Sequence, residues 1–305
     1  MPSTVIRPFQ RGDREQVTGL VNAHIGAVLP GVSVSVNAVM SQLEREPGEI
    51  IVDPWVSERA TLVAIERERV VAAAHLQRYA SDARVSESYR NLGAIRWLVC
   101  VPQNDAAGDA LATACTEQLS AWRVARQAAD VSLPCPACYG VPDCWPHLQD
   151  IFVRNGFRCE GRTEVILVAD VADLPAGTDA PFADLTLRRE MSGPVFPGTR
   201  FSARVGDELV GWLDLATDVT TGGTLSRLAG WAEIDTLHVA QAHRRRGVAT
   251  WLIGHGADWL RLGHADRLIA YCGADELDEL AFMASAGWRE LTRTRRGWCP
   301  AIATA

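Results

Sequence analysis

Residues 239–250 read Val-Ala-Gln-Ala-His-Arg-Arg-Arg-Gly-Val-Ala-Thr and join an alternating apolar stretch to an amphipathic one. Arg244, Arg245 and Arg246 precede Gly247, with the small Ala249 two places on. The first-turn N–H groups of a helix lack an intrahelical acceptor, and the helix dipole adds partial positive charge there. Three arginines at such a terminus are unfavourable unless an anion joins them. Gly247 lets the backbone approach a ligand closely, and Ala249 avoids a clash. With Val248 and Thr250 the run has the make-up of a pyrophosphate cradle. The competing reading is an ordinary strand-to-helix turn with solvated arginines. Just upstream, Glu233 and Asp235 lie two apart on one strand, so both face one side of a sheet. They can take up a proton or anchor a cation; a solvated strand face is the alternative. Alternation points His238 away from them, which makes it a wall or packing residue.

Other reactive side chains give weaker patterns. Cys135, Cys138, Cys144 and His147 form a C-x2-C-x5-C-x2-H series that could supply four zinc ligands. The spacing departs from the common fingers, and the loop is rich in proline and small residues. Incidental thiols are the default, with no metal expected. His255 lies on an apolar helical stripe and reads as a packed core residue. The run from Thr292 to Trp298 reads as a last strand and a solvated tail.

The elements that must position these groups repeat one plan twice. In the first half, strands are expected at 5–9, 61–65, 70–75, 94–101 and 163–168, the last closing that unit. Helices are expected at 13–28, 37–46, 106–125 and 148–154. Residues 171–184, with Pro175, Gly177 and Pro181, have a connector's composition. The second half repeats the order with strands at 185–188, 201–205, 209–215, 231–239 and 267–272. Its helices fall at 246–261 and 276–285, and it lacks room for the first half's early pair of helices. The fold class expected is α/β, an α+β mixed sheet, in two tandem domains over 1–170 and 185–305.

Composition excludes several classes. Hydrophobic residues make up 48% and charged residues 22% of 305 residues, as in globular chains rather than disordered or coiled-coil ones. No apolar run approaches the ~20 residues of a membrane span, and no secretory signal is visible. All 30 basic residues are arginine, yet the net charge is −7, which argues against a nucleic-acid or anionic-membrane partner. A cytoplasmic protein with reduced thiols is expected.

Arg244-x-x-Gly247-x-Ala249, after Leu237-His238-Val239, resembles the acyl-CoA signature R/Q-x-x-G-x-G/A of the GNAT superfamily of N-acetyltransferases. Phe282-Met283-Ala284-Ser285-Ala286-Gly287-Trp288 is similar to that family's second landmark, and Phe152 to Phe157 mirrors it in the first half. The chain thus resembles a tandem GNAT protein. The resemblance implies acetyl transfer from acetyl-CoA, as co-substrate, to an amine by direct attack in a ternary complex. It places the cofactor on Leu237, His238, Val239, Arg244, Arg245, Arg246, Gly247, Val248, Ala249 and Thr250, with a backbone N–H of 237–239 facing the oxyanion. Glu233 or Asp235 would relieve the amine of its proton. The family's usual acid, a tyrosine, is Met283 here, and Tyr271 is the alternative donor to the leaving thiolate. A small-molecule amine is the expected acceptor, and the resemblance admits a homodimer. In the first half, Val101 to Ala110 stands where the cradle should be, with two aspartates and no arginine. Ile95 and Trp97 stand there for Glu233 and Asp235. That copy reads as degenerate, without cofactor, and as a wall for the acceptor. A non-catalytic acyl-CoA-binding or regulatory module is the alternative function.

Overall fold

A computed structural model describes residues 4–44, 55–129, 131–192, 198–216 and 230–301. By internal contacts the chain divides into two units, one built on residues 1–163 with 292–305 and the other within 164–291.

The first unit runs β1 (Val5–Pro8), α1 (Arg14–Val28), α2 (Val36–Leu43), β2 (Val56–Glu66), β3 (Arg69–Tyr79), β4 (Leu92–Cys100), α3 (Asp105–Ala121), β5 (Arg126–Ala129), β6 (Val141–Pro142), α4 (Pro146–Arg154) and β7 (Phe157–Cys159). In α1, Val17, Val21, Ile25 and Val28 recur at helical spacing and are buried. β1 to β4 pair antiparallel in chain order, and α3 carries the chain over to β5, parallel to β4.

The second unit holds β8 (Thr163–Asp170), β9 (Leu185–Met191), β10 (Thr199–Val205), β11 (Glu208–Ala216), β12 (Trp231–Val239), α5 (Val248–Leu262), β13 (Arg267–Gly273) and α6 (Leu277–Ser285). Its strands lie in the order β8-β13-β12-β11-β10-β9. α5 joins the parallel pair β12 and β13, as α3 joins β4 and β5. Between β9 and β10 the chain spends residues 192–198, where the first unit places α1 and α2 between β1 and β2. Val248, Trp251, Leu252 and Leu260 of α5 enter a core with Leu213, Leu215, Ala232 and Ile234.

Each sheet is completed by a strand from the other half of the sequence. β8 pairs antiparallel along its length with β13, so 163–170 belongs to the second sheet rather than closing the first. After β14 (Arg289–Arg295), β15 (Trp298–Pro300) pairs with β5 and β7 in the first sheet. The expected solvated tail is therefore structural. Trp298 is buried, and Thr294 is buried with its hydroxyl donating to the Tyr139 carbonyl at 2.5 Å. Apolar alternation marks a strand without naming its partner, and three residues at 298–300 are too few to show a pattern.

The pairing registers align the two copies. Along β11 and β12, Asp214 faces Thr236 and Leu215 faces Ile234, leaving Asp235 as an extra residue. Along β3 and β4, His75 faces Trp97 and Leu76 faces Ile95, leaving Arg96 extra. The same bulge in both copies makes Arg96 the counterpart of Asp235 and Ala94 that of Glu233. Ile95 and Trp97, expected in those places from sequence, are offset by one residue.

Candidate active site

The site begins where two parallel strands part. β12 pairs with β13 over Trp231–Glu233 and Arg267–Ile269, and past Glu233 the register ends while both strands run on. Crevices at the carboxyl ends of parallel strands are where open α/β sheets take ligands. Ala240 donates its N–H to the Val210 carbonyl at 2.8 Å. By the alternation of an antiparallel ladder, His238 also turns its backbone toward β11, which leaves Leu237 and Val239 directing theirs into the opening. Arg244 confirms that direction, since its Nε donates to the Val239 carbonyl at 3.0 Å.

The loop closing the opening ends in Gly247, at φ 84°, as the N-cap of α5. That left-handed conformation favours glycine. No side chain caps the helix and no acid lies in its first turn. Val248 is buried and fixes the turn, Ala249 is half-buried, and Thr250, Arg244, Arg245 and Arg246 are exposed. Among the described residues no carboxylate lies within ion-pair distance of the three arginines. The Arg244 guanidinium acts on Glu279 of α6, whose carboxyl is pushed up by burial and by Glu276 and only partly drawn back by that guanidinium. Charge there is thus left for an anion to neutralise.

The carboxylates lie on the sheet face away from α5. Ala232, Ile234, Leu237 and Val239 pack on the core, so the facing switches from even to odd positions across the bulge. Glu233, Thr236 and His238 therefore share the opposite face. Simple alternation sends His238 away from Glu233, and the extra residue at Asp235 brings it back. Glu233 is half-buried beside the Tyr271 hydroxyl of β13. Burial pushes its carboxyl up from the usual range, the hydrogen bond from Tyr271 pulls it down, and the charge of exposed Asp235 pushes it up again. Met283 is buried in the core cluster, a place for packing rather than proton transfer.

Neighbours not singled out by sequence complete this face. His238 stacks on Trp212 with ring centroids 4.3 Å apart. The Arg200 guanidinium lies 5.6 Å from the Trp212 ring and pairs through two nitrogens with buried Asp214 at 2.7 and 2.6 Å. Ser202 donates to Glu190 at 2.7 Å. Cross-strand neighbours of this kind become visible only once the register is known.

The corresponding opening in the first unit is filled by its own chain. Ser132 donates its N–H to the Arg96 carbonyl at 2.6 Å, and His147 Nε2 lies 3.1 Å from the Cys100 carbonyl. Asp105 starts α3, and Asp109 one turn on accepts from Arg154 and Asn155. Acids thus occupy the helix start that bears arginines in the second unit. His147 Nε2 also lies 3.2 Å from His24 Nε2, while Cys135 and Cys144 act on the buried Cys138 thiol. Among the described residues the potential metal donors that gather are Cys272, Glu276 and Glu279.

Comparison with known proteins agrees with this architecture. Residues 171–288 match the profile of the Acetyltransferase (GNAT) family and carry a domain of that kind. The fold over 98% of the chain is similar to a GCN5-related glucosamine N-acetyltransferase region in a fungal multi-domain GH3 β-N-acetylglucosaminidase, at TM-score 0.65 and 16% identity. The chain spans 38% of that protein's length. A tandem GNAT protein from the clavulanic acid biosynthesis pathway matches 99% of this chain and 100% of its own, at TM-score 0.63 and 15% identity. A GCN5-related N-acetyltransferase from Sphaerobacter thermophilus matches 98% and 97%, at TM-score 0.62 and 14% identity. No curated protein matches the sequence. Two GNAT-like domains in tandem are therefore the fold. Among the described residues no helix is long and apolar enough to cross a membrane.

Proposed function

From a GNAT acetyltransferase domain at 171–288 within a tandem fold, we propose that the chain moves an acetyl group from acetyl-CoA to the nitrogen of a small-molecule amine. The observation that carries this reading is an uncapped helix start with three arginines that make no ion pair among the described residues, at the mouth of parted strands, one of which bears Glu233. The N–H groups of Val248, Ala249 and Thr250, with Arg244 to Arg246, hold the pyrophosphate. Leu237, His238 and Val239 line the acyl end, with the N–H of Leu237 or Val239 toward the thioester oxygen, where charge develops.

The acceptor ammonium gives one proton to solvent, the lone pair of the free amine attacks the thioester carbon, and the nitrogen of the tetrahedral adduct passes its second proton to the Glu233 carboxylate. The carbon–sulfur bond breaks and sulfur leaves as thiolate. Tyr271, in contact with Glu233, returns a proton to that sulfur and is reprotonated through the carboxyl. A thiol ionises near ~8.5, so the departing sulfur needs modest help. Asp235 keeps the carboxyl of Glu233 basic by repulsion. The first unit, with its opening filled and acids at its helix start, binds no cofactor.

Thiol release from acetyl-CoA over a panel of amines tests the proposal. Amine-dependent release that drops about 10²–10⁴-fold in Glu233→Gln supports it. Binding of acetyl-CoA without turnover on any amine favours the non-catalytic module.

A further inference from the structure

The segment before β9 is a strap built onto α5. Arg261, near the end of α5, donates to the Val171 carbonyl at 2.9 Å. The Gly177 N–H donates to Asp258 at 2.9 Å, and Trp251 Nε1 donates to the Thr178 carbonyl at 2.9 Å. A Cβ at Gly254 would stand 2.6 Å from the Ala176 carbonyl oxygen, so the helix leaves a glycine where the strap's backbone crosses. A Cβ at Gly247 would meet Pro181 at 3.2 Å. The strap thus runs along α5 toward its start and ends beside the N-cap. There Phe182, half-buried, lies under two side chains of the cradle. The Arg246 guanidinium sits 3.9 Å from its ring centroid, and the His243 ring stacks on it at 6.2 Å and 26°. Arg246 and His243 approach each other at 3.4 Å.

An exposed arginine samples many rotamers, and fixing it costs side-chain entropy. An aromatic face under the guanidinium restricts it in advance, leaving its N–H edge free for an anion. We propose, on the acyl-CoA reading above, that Phe182 is a positioning residue that holds Arg246 ready for the phosphates of the cofactor. The strap is in that case a working part of the cradle, beyond its composition as a linker.

Calorimetric titration of the full chain with coenzyme A tests this. Phe182→Ala is expected to raise Kd about two- to fivefold, the size of an exposed cation–π contact. Phe182→Leu, which keeps the apolar contact with the core, is expected to match the alanine variant, and Phe182→Trp to bind as the wild type does. In an Arg246→Ala background, Phe182→Ala should add no further loss. Full rescue by leucine, or an undiminished loss in that background, overturns the proposal while the cofactor reading stands. A wild-type chain that binds no coenzyme A overturns both.

Discussion

The Tyr271 hydroxyl of β13 bonds the Glu233 carboxylate of β12 from two residues beyond Ile269, the partner of Glu233 at the last paired position before the strands separate. The proposed base is thereby held, half-buried, at the edge of an opening that the sheet itself creates. Its proton affinity is set by burial first, then by Tyr271, then by Asp235.

The acid limb of the pH profile of kcat/KM for amine acetylation follows from those three influences. It is expected above the ordinary glutamate range. Tyr271→Phe removes a hydrogen bond that favours the charged form, so the limb moves up. Asp235→Asn removes a like charge, so it moves down. Glu233→Gln abolishes the limb and lowers kcat. Limbs unmoved in all three variants would exclude Glu233 as the base.

Much of this arrangement is legible in the sequence. The bounds of β12 at 231 and 239, the glycine turn at 247 and the amphipathic α5 follow from apolar period and residue type. The bulge at Asp235 does not, because one extra residue in a ladder is invisible until the partner strand is known. It decides the facing of His238 and the correct counterpart of Glu233. The exchange of β8 and β15 is hidden for a related reason, since strand propensity carries no address. Phe182 sits in a stretch whose prolines and glycine mark a connector, and its contact with Arg246 arises from tertiary packing.

Asp214 is buried and pairs with a partly exposed Arg200. Removing one partner of such a pair leaves the other uncompensated. Asp214→Ala should lower unfolding free energy by about 2–4 kcal/mol in a denaturant titration. A loss under about 1 kcal/mol would mean that solvent already screens Arg200.

Two histidines of the first unit set its acid tolerance. Burial holds His24 down to about 4 and His75 to about 3, the latter helped by repulsion from Arg59 and Arg96. Below about 6.5 the unfolded chain takes up protons that the folded chain refuses, so stability falls as pH drops from there toward 4. Each histidine contributes about 1.4 kcal/mol per pH unit in that window. Thermal midpoints between pH 7 and 4.5 should fall, with a shallower slope in His24→Gln and His75→Gln. Slopes equal to the wild type's would place the acid sensitivity elsewhere.

The central claim is one acyl-CoA site per chain, at the start of α5. Calorimetric titration of the full chain with acetyl-CoA measures it directly. The account predicts a stoichiometry of one, lost in Gly247→Glu, where a side chain is forced onto a left-handed backbone and a negative charge enters the cradle. Changes at Asp105 and Asp109 to alanine should leave the stoichiometry at one. Two sites per wild-type chain, or undiminished binding in Gly247→Glu, would contradict it.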